Sequence, residues 1–443
     1  MSKPVKLHRL AALSADQRET LLTRTEAAGM DQYIEQVRPI IDAVRKNGDQ
    51  ALAAFAGQFD GAELAAGDIA VSEREFDEAL ESLDKELIAS LEFAADNVRR
   101  FHERQMPERM WMTEIRPGAF AGERYTPIDA VACYVPRGKG SFPSVAIMTA
   151  IPASVAGVPV RAIVTPPGPD GRVDAATLVV ARLAGIDKVY KCGGAQAVAA
   201  VAYGTGSVPR CDKLVGPGSP WVVAAKRLLA DRLEPGTPAG PSESIVLADA
   251  TANPRVAALE LLNEAEHGPD SSAFLVTDSE TLAHAVIEAV TEYWQHMGEQ
   301  RVDFSSTVLG GDSGGIVLCD SFDDAIAFTN DYAPEHLAVL AEDPMQHLDQ
   351  IRHAGEILLG EHTAISIANF VLGPNAVLPT SMKARVASPL SVFDFLKSCS
   401  LGRVTAEGYR ELAPHARRLA EYEGFDAHAN AVSGLRDKAQ DNG

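Results

Sequence analysis

Lys188-Val189-Tyr190-Lys191-Cys192-Gly193-Gly194-Ala195-Gln196, continued by an alanine- and valine-rich run to Tyr203, decides the fold. The short apolar run reads as a buried strand, the glycine pair as a tight turn and the run that follows as a helix. The unit recurs at once, where Asp212-Lys213-Leu214-Val215 meets Gly216-Pro217-Gly218 and a helix through Leu229. Upstream, Ala130 to Pro136 and Arg161 to Pro167 read as further buried strands, with a helix from Val145 to Ala156 between them. Repeated strand–glycine–helix units predict an α/β fold: a parallel sheet with helices on both faces.

The same texture returns downstream. Strands are expected at Ser244–Leu247, Ala273–Val276, Gly315–Leu318 and Glu356–Leu359, which makes a second α/β module. Before Met106 the chain reads as helices, with helical apolar spacing from Asp31 to Gln58 and from Glu73 to Met106. The C-terminal stretch reads as mainly helical, closing in a frayed tail from Asp437 to Gly443.

Of the 443 residues 46% are hydrophobic and 23% charged, the composition of a globular protein with a real core. A net charge of −21 speaks against nucleic acid and anionic membranes as partners. No apolar run reaches the roughly 18 residues of a membrane span, and Met1 to Lys6 leads into no signal-peptide core. Cys133, Cys192, Cys211, Cys319 and Cys399 are scattered, without a CxxC pair, so reduced thiols in a cytoplasm are expected.

Several segments carry candidate chemistry. In Asn263-Glu264-Ala265-Glu266-His267-Gly268-Pro269-Asp270, Glu264 and His267 share a helix face. Asn253-Pro254 reads as the helix start and Gly268-Pro269 as its end. A carboxylate beside an imidazole is half of a metal site, and equally a solvated Glu beside a capping His. The glycine turns suit a phosphate, since backbone N–H groups and a helix N-terminus converge there. Neither is a GxGxxG, because Trp221 stands where the last glycine would be, and the same glycines would also serve close packing of helix on strand. Glu335-His336 follows a proline turn in Asp331-Tyr332-Ala333-Pro334-Glu335-His336-Leu337. In a cleft it could do general acid–base work; exposed at a helix start it would do none. Pro238-Ala239-Gly240-Pro241-Ser242-Glu243 reads as a stiff loop near a ligand or as a plain turn, and Glu423 and His428 lie in a short C-terminal segment.

Taken in order, these blocks resemble the histidinol dehydrogenase family. The resemblance rests on Tyr134-Val135-Pro136, Gly193 to Ala197, Gly216-Pro217-Gly218, Pro238 to Glu243, Ala265 to Ser271, Pro334 to Leu337, Gly373-Pro374-Asn375 with Val377 to Thr380, and Ala427-His428 with Asn430-Ala431-Val432. It implies two Rossmann-like parallel-sheet domains with helical N-terminal and C-terminal extensions. The domains expected are 27–132 with 236–385, and 133–235; residues 1–26 would precede them and 386–443 would form an arm in contact with a second subunit. It further implies a homodimer, NAD, one zinc per site, and oxidation of a primary alcohol through an aldehyde to a carboxylate. By motif, His336 is the base, Glu335 activates water, and Tyr134, Gln196 and Ser219 contact NAD. Ser242, Glu423 and Ala376 fall at substrate positions. Glu264, His267, Asn369 and His428 fall at metal positions, with Glu423 and His428 supplied by the other subunit.

Three departures from the family pattern stand out. Its zinc set is Gln, His, Asp and His; here carboxylate and amide exchange places as Glu264 and Asn369. The donor types still suit zinc, whereas a neutral Asn369 could instead mark a weakened site. Its Asn-His-Val-Leu-Pro-Thr is Asn375-Ala376-Val377-Leu378-Pro379-Thr380, and its Gly-Asp-Tyr is Ala368-Asn369-Phe370, so an imidazole and a phenol hydroxyl are gone from the substrate side. On the cofactor side an Asn has become Ser219. The expectation is intact chemistry on a primary alcohol other than L-histidinol, such as a small polyol or an anionic alcohol. An authentic L-histidinol dehydrogenase and a silent binding paralogue are the alternatives.

Overall fold

The computed structural model describes residues 3–24, 30–137, 140–237 and 240–436. Pro238 and Ala239 of the stiff loop, and the tail from Asp437 on, lie outside the described residues. In chain order the strands are β1 (Leu7–Arg9), β2 (Met110–Arg116), β3 (Ala119–Pro127), β4 (Ala130–Tyr134), β5 (Val160–Thr165), β6 (Val189–Lys191), β7 (Lys213–Val215), β8 (Glu243–Ala248), β9 (Ser272–Thr277), β10 (Gly314–Leu318), β11 (His336–Leu340), β12 (Glu356–Leu359) and β13 (Leu396–Val404). The chain divides into two units, one of Met1–Gln105 and Ile128–Phe395, the other of Met106–Pro127 and Leu396–Gly443.

The larger unit holds both parallel sheets. One is four-stranded in the order β6-β5-β4-β7, the other six-stranded in the order β1-β10-β9-β8-β11-β12. Both orders reverse direction beside their first long strand, β4 in one and β8 in the other, which is the doubly wound pattern. The α/β expectation therefore holds. Buried on both faces, these strands show no alternation: every residue of β4, β8, β9, β10 and β11 is buried. The helices Met30–Asn47, Gly194–Tyr203 and Pro220–Leu228 pack together on the four-stranded sheet, through Val37, Ile41, Val198, Val201 and Val222. The first helices thus share a core with 130–233.

Two readings of the sequence need correction here. The segment before Met106 is not all helix, because Leu7–Arg9 forms the edge strand β1, paired in parallel with β10. The stretch after Phe395 is not mainly helical at its start, because Leu396–Val404 is strand β13, antiparallel to β3. The smaller unit is this antiparallel sheet, ordered β13-β3-β2, with the helices Ala406–Tyr422 and Asp426–Ala431.

Candidate active site

The carboxyl ends of β4 and β7 face the amino ends of β8 and β11 across a cavity of about 330 Å³. Pro136 and Gly218 come from the first pair of strands, and Ser242, Glu335 and His336 from the second. The switch point of the four-stranded sheet opens onto it at the carboxyl ends of β4 and β7, the place where open α/β sheets bind ligands; the six-stranded sheet meets it with the amino ends of β8 and β11. Glu264, His267, Asn369, Phe370 and Ala376 complete the wall.

Glu335 and His336 do not start a helix. His336 opens the fully buried strand β11, hydrogen-bonded between β8 and β12, and Glu335 directly precedes it. Ala333 in the left-handed conformation, φ 52°, ends the preceding helix and turns the chain into that strand. Gly355 makes the close approach possible, since a Cβ there would sit 2.6 Å from the Glu335 carbonyl oxygen. The pair is held on both sides. The backbone N–H of Glu243 donates to Glu335 Oε2 at 2.9 Å, and His336 Nδ1 donates to Glu356 Oε1 at 2.6 Å. His336 Nε2 remains 3.8 Å from Glu335 Oε1. Burial pushes the Glu335 carboxyl up to about 8, opposed by the charge of His336 and aided by that of Glu264. Burial works the other way on His336 and would lower it; the carboxylates of Glu264, Glu335 and Glu356 outweigh this and raise the imidazole to about 10.

Glu264 stands on the helix Pro254–Ala265, whose Asn253 side chain caps its first turn as the sequence indicates. The helix ends before His267, yet the two side chains still meet, with His267 Nδ1 3.6 Å from Glu264 Oε2. His267 Nδ1 also donates to the Asn263 carbonyl at 3.0 Å, which leaves Nε2 to the cavity. Glu264 is 1% exposed. Both its carboxylate oxygens and the amide oxygen of Asn369 are buried without a hydrogen-bond partner among the described residues. Three orphaned oxygens beside an imidazole would be costly unless something electropositive binds them. Among the described residues no three acidic, imidazole or thiol groups come together; the set here is one carboxylate, one imidazole and one amide. That set fits a divalent cation of borderline softness such as zinc, with a position left open.

A second cavity, of about 310 Å³, lies against the glycine turns and is lined by Ile40, Phe59, Asp60, Gly194, Gln196, Ser219 and Trp221. Tyr134 adjoins it, its hydroxyl accepting from the Gly194 backbone N–H at 2.9 Å. Gly216, at φ +113°, lets the β7 turn pass the end of β4, where a Cβ would meet the Tyr134 carbonyl oxygen at 2.3 Å. Lys226 fixes the same turn, donating to the Gly216 carbonyl at 3.0 Å.

The sequence profile described as "Histidinol dehydrogenase" matches residues 23–435 of this chain. The chain belongs to the histidinol dehydrogenase family. It is 67% identical over 439 residues to a "Histidinol dehydrogenase homolog" of Colwellia psychrerythraea, covering 99% of this chain and 98% of that one. To a "Histidinol dehydrogenase" of Synechocystis it is 47% identical, covering 96% and 98%. The crystal structure of histidinol dehydrogenase from Elizabethkingia anophelis superposes with a TM-score of 0.91 at 33% identity, covering 99% of each chain. Histidinol dehydrogenase family enzymes are NAD-dependent, zinc-binding oxidoreductases that take an alcohol to an acid.

Of the residues singled out by sequence, Ser242, Glu264, His267, Glu335, His336, Asn369 and Ala376 line one cavity. Gln196 and Ser219 line the other, with Tyr134 bonded to its edge. Glu423 and His428 stand on the smaller unit, exposed, at the end of the helix Ala406–Tyr422 and within Asp426–Ala431. Sequence reading missed Glu356, the partner of His336, because nothing in Glu356-Ile357-Leu358-Leu359 marks it as more than a strand residue. It also missed Asp60, and the role of Asn375. The buried Asn375 amide donates to the Met148 carbonyl at 2.6 Å and accepts from the Val377 N–H at 2.9 Å, so it fixes the loop that carries Ala376.

Proposed function

We propose that this chain oxidises a primary alcohol other than L-histidinol, through an aldehyde to a carboxylate, with NAD and zinc. The observation that carries the reading is one cavity in which a complete acid–base pair and an oxygen-rich metal set stand beside Ala376 and Phe370. Glu264, His267 and Asn369 would hold zinc, and His428 of the partner subunit would complete the set in a homodimer. Zinc held there would supply polarisation of the alcohol oxygen, and NAD would supply the hydride acceptor for each of two oxidations.

This chain's residues supply the proton chemistry. His336, oriented by Glu356, presents Nε2 to take the alcohol proton. The surrounding carboxylates raise that imidazole; a cation held by Glu264 would offset one of them and favour the unprotonated Nε2. Glu335, its carboxyl raised by burial, would take a proton from water when the aldehyde is hydrated. Ser242 and Ala376 would touch the substrate, along with Glu423 from the other subunit. Tyr134, Gln196 and Ser219 would contact NAD.

Altered specificity is supported by what the wall lacks. Met148, Val145, Val377, Leu378 and Phe370 make much of it apolar. A site that cannot pair a polar ligand's hydrogen bonds loses affinity for that ligand. The names of the relatives run the same way: those at 57–67% identity are called homologues of histidinol dehydrogenase, and those at 39–47% carry its plain name. Growth rescue of a histidine auxotroph that lacks histidinol dehydrogenase tests the reading. No rescue by well-expressed protein is expected, and full rescue would show that L-histidinol is the substrate.

A further inference from the structure

Among the described residues, Asp60 is the one acidic side chain lining the cavity of Gln196 and Ser219. It lies in the turn Ala56–Asp60, just before Gly61 in the left-handed conformation. Its Oδ2 is buried and has no hydrogen-bond partner among the described residues. Asp60 shares this cavity with Gly194, Ala195 and Gln196, at the end of β6 where the glycine turn leads into the helix. Arg137 is the cation that acts on it, and its guanidinium is already donating to the Arg172 carbonyl at 3.1 Å. Around Asp60 the cavity is aromatic and flat-walled. Phe59 is half-exposed and stacks on Phe55 at 5.4 Å, and Trp221 is held edge-on to Tyr33 at 4.8 Å. A carboxylate acceptor next to exposed aromatic faces matches a nucleoside, with the base against the rings and a sugar hydroxyl on the acid.

We propose that Asp60 is the residue that selects the cofactor: it accepts a ribose hydroxyl of NAD and excludes the 2′-phosphate of NADP. This rests on the reading that the chain uses a nicotinamide dinucleotide. A hydroxyl can donate to an acid that has no donor opposite it; a phosphate at neutral pH offers only acceptors and adds negative charge.

The test is a binding measurement on the full chain, without substrate, reading the quenching of tryptophan fluorescence and, separately, calorimetric heat. Oxidised NAD and NADP are titrated into the parent, Asp60→Asn and Asp60→Ser, each checked to unfold in one cooperative transition no lower than the parent's. The parent is expected to bind NAD at least about tenfold more tightly than NADP. Asp60→Ser should weaken NAD by about 10–100-fold, the loss of a hydrogen bond to a charged acceptor. Asp60→Asn keeps an acceptor and removes the charge, so it should spare NAD more and tighten NADP. A ratio of NAD to NADP affinity that stays the same in both variants would overturn the assignment while leaving the cofactor reading intact. A parent that binds neither nucleotide would overturn both.

Discussion

His336 Nδ1 lies 2.6 Å from Glu356 Oε1, between two neighbouring parallel strands and largely buried. The contact fixes which nitrogen faces the cavity and holds the ring's plane. Glu356 does not line that cavity; it positions the imidazole. Glu356→Gln should therefore lower kcat/KM by about 10–100-fold with little change in KM. Because the carboxylate raises His336, its removal should also move the basic-form limb of the pH–rate profile to lower pH. A drop in rate with an unmoved profile would mean a merely structural role.

The orphaned oxygens of Glu264 and Asn369 predict how metal is held. Glu264→Gln leaves two amides and one imidazole on this chain. Zinc affinity, read by competition with a chromogenic chelator, should fall by at least about tenfold, since changes even outside the ligand shell cost that much. Metal held as tightly by the variant as by the parent would remove Glu264 from the ligand set.

Ala376 and Phe370 stand where polar groups would meet an imidazole substrate. The double substitution Ala376→His with Phe370→Tyr should raise kcat/KM for L-histidinol at least about tenfold, the effect of one or two restored hydrogen bonds in a binding site. The same change should lower turnover of the native alcohol. Steady-state kinetics on both substrates checks this, and unchanged selectivity would move the specificity determinants elsewhere.

Asp60 also predicts a pH dependence of stability. Burial pushes its carboxyl up to about 6 in the folded chain, against the charge of Arg137; unfolded, it titrates near the ordinary value of about 3.9. Below about pH 3 it is protonated in both states and costs nothing. As pH rises from about 3 to about 6 the unfolded chain ionises first, so stability falls, and the full penalty is present above about pH 6. Solvent screening limits it to about 1–2 kcal/mol. Asp60→Asn should melt higher than the parent at pH 7.5 and level with it at about pH 3; a gap independent of pH would contradict the burial account.

Much of this was legible in the sequence because it is local. The strands β4 to β10 announce themselves as apolar runs bounded by Gly and Pro, and the glycine turns mark where they end. β11 was not legible: His336-Leu337-Ala338-Val339-Leu340 follows a proline and an acidic residue, as helix starts do, and full burial removes the alternation that signals a strand. β2 failed for the opposite reason, being exposed at every residue. In the site, residues carried by motif came together as read, whereas Glu356 and Asp60 did not show themselves. Their partners lie across strand pairing and loop packing, and spacing in the chain encodes neither.

The most direct test is initial-rate NADH production by zinc-loaded protein on L-histidinol beside small primary alcohols, polyols and sulfonated diols. The account predicts turnover of a primary alcohol with kcat/KM well above that for L-histidinol, and two NADH per alcohol consumed. Preferred turnover of L-histidinol, or no NADH from any alcohol, would contradict it.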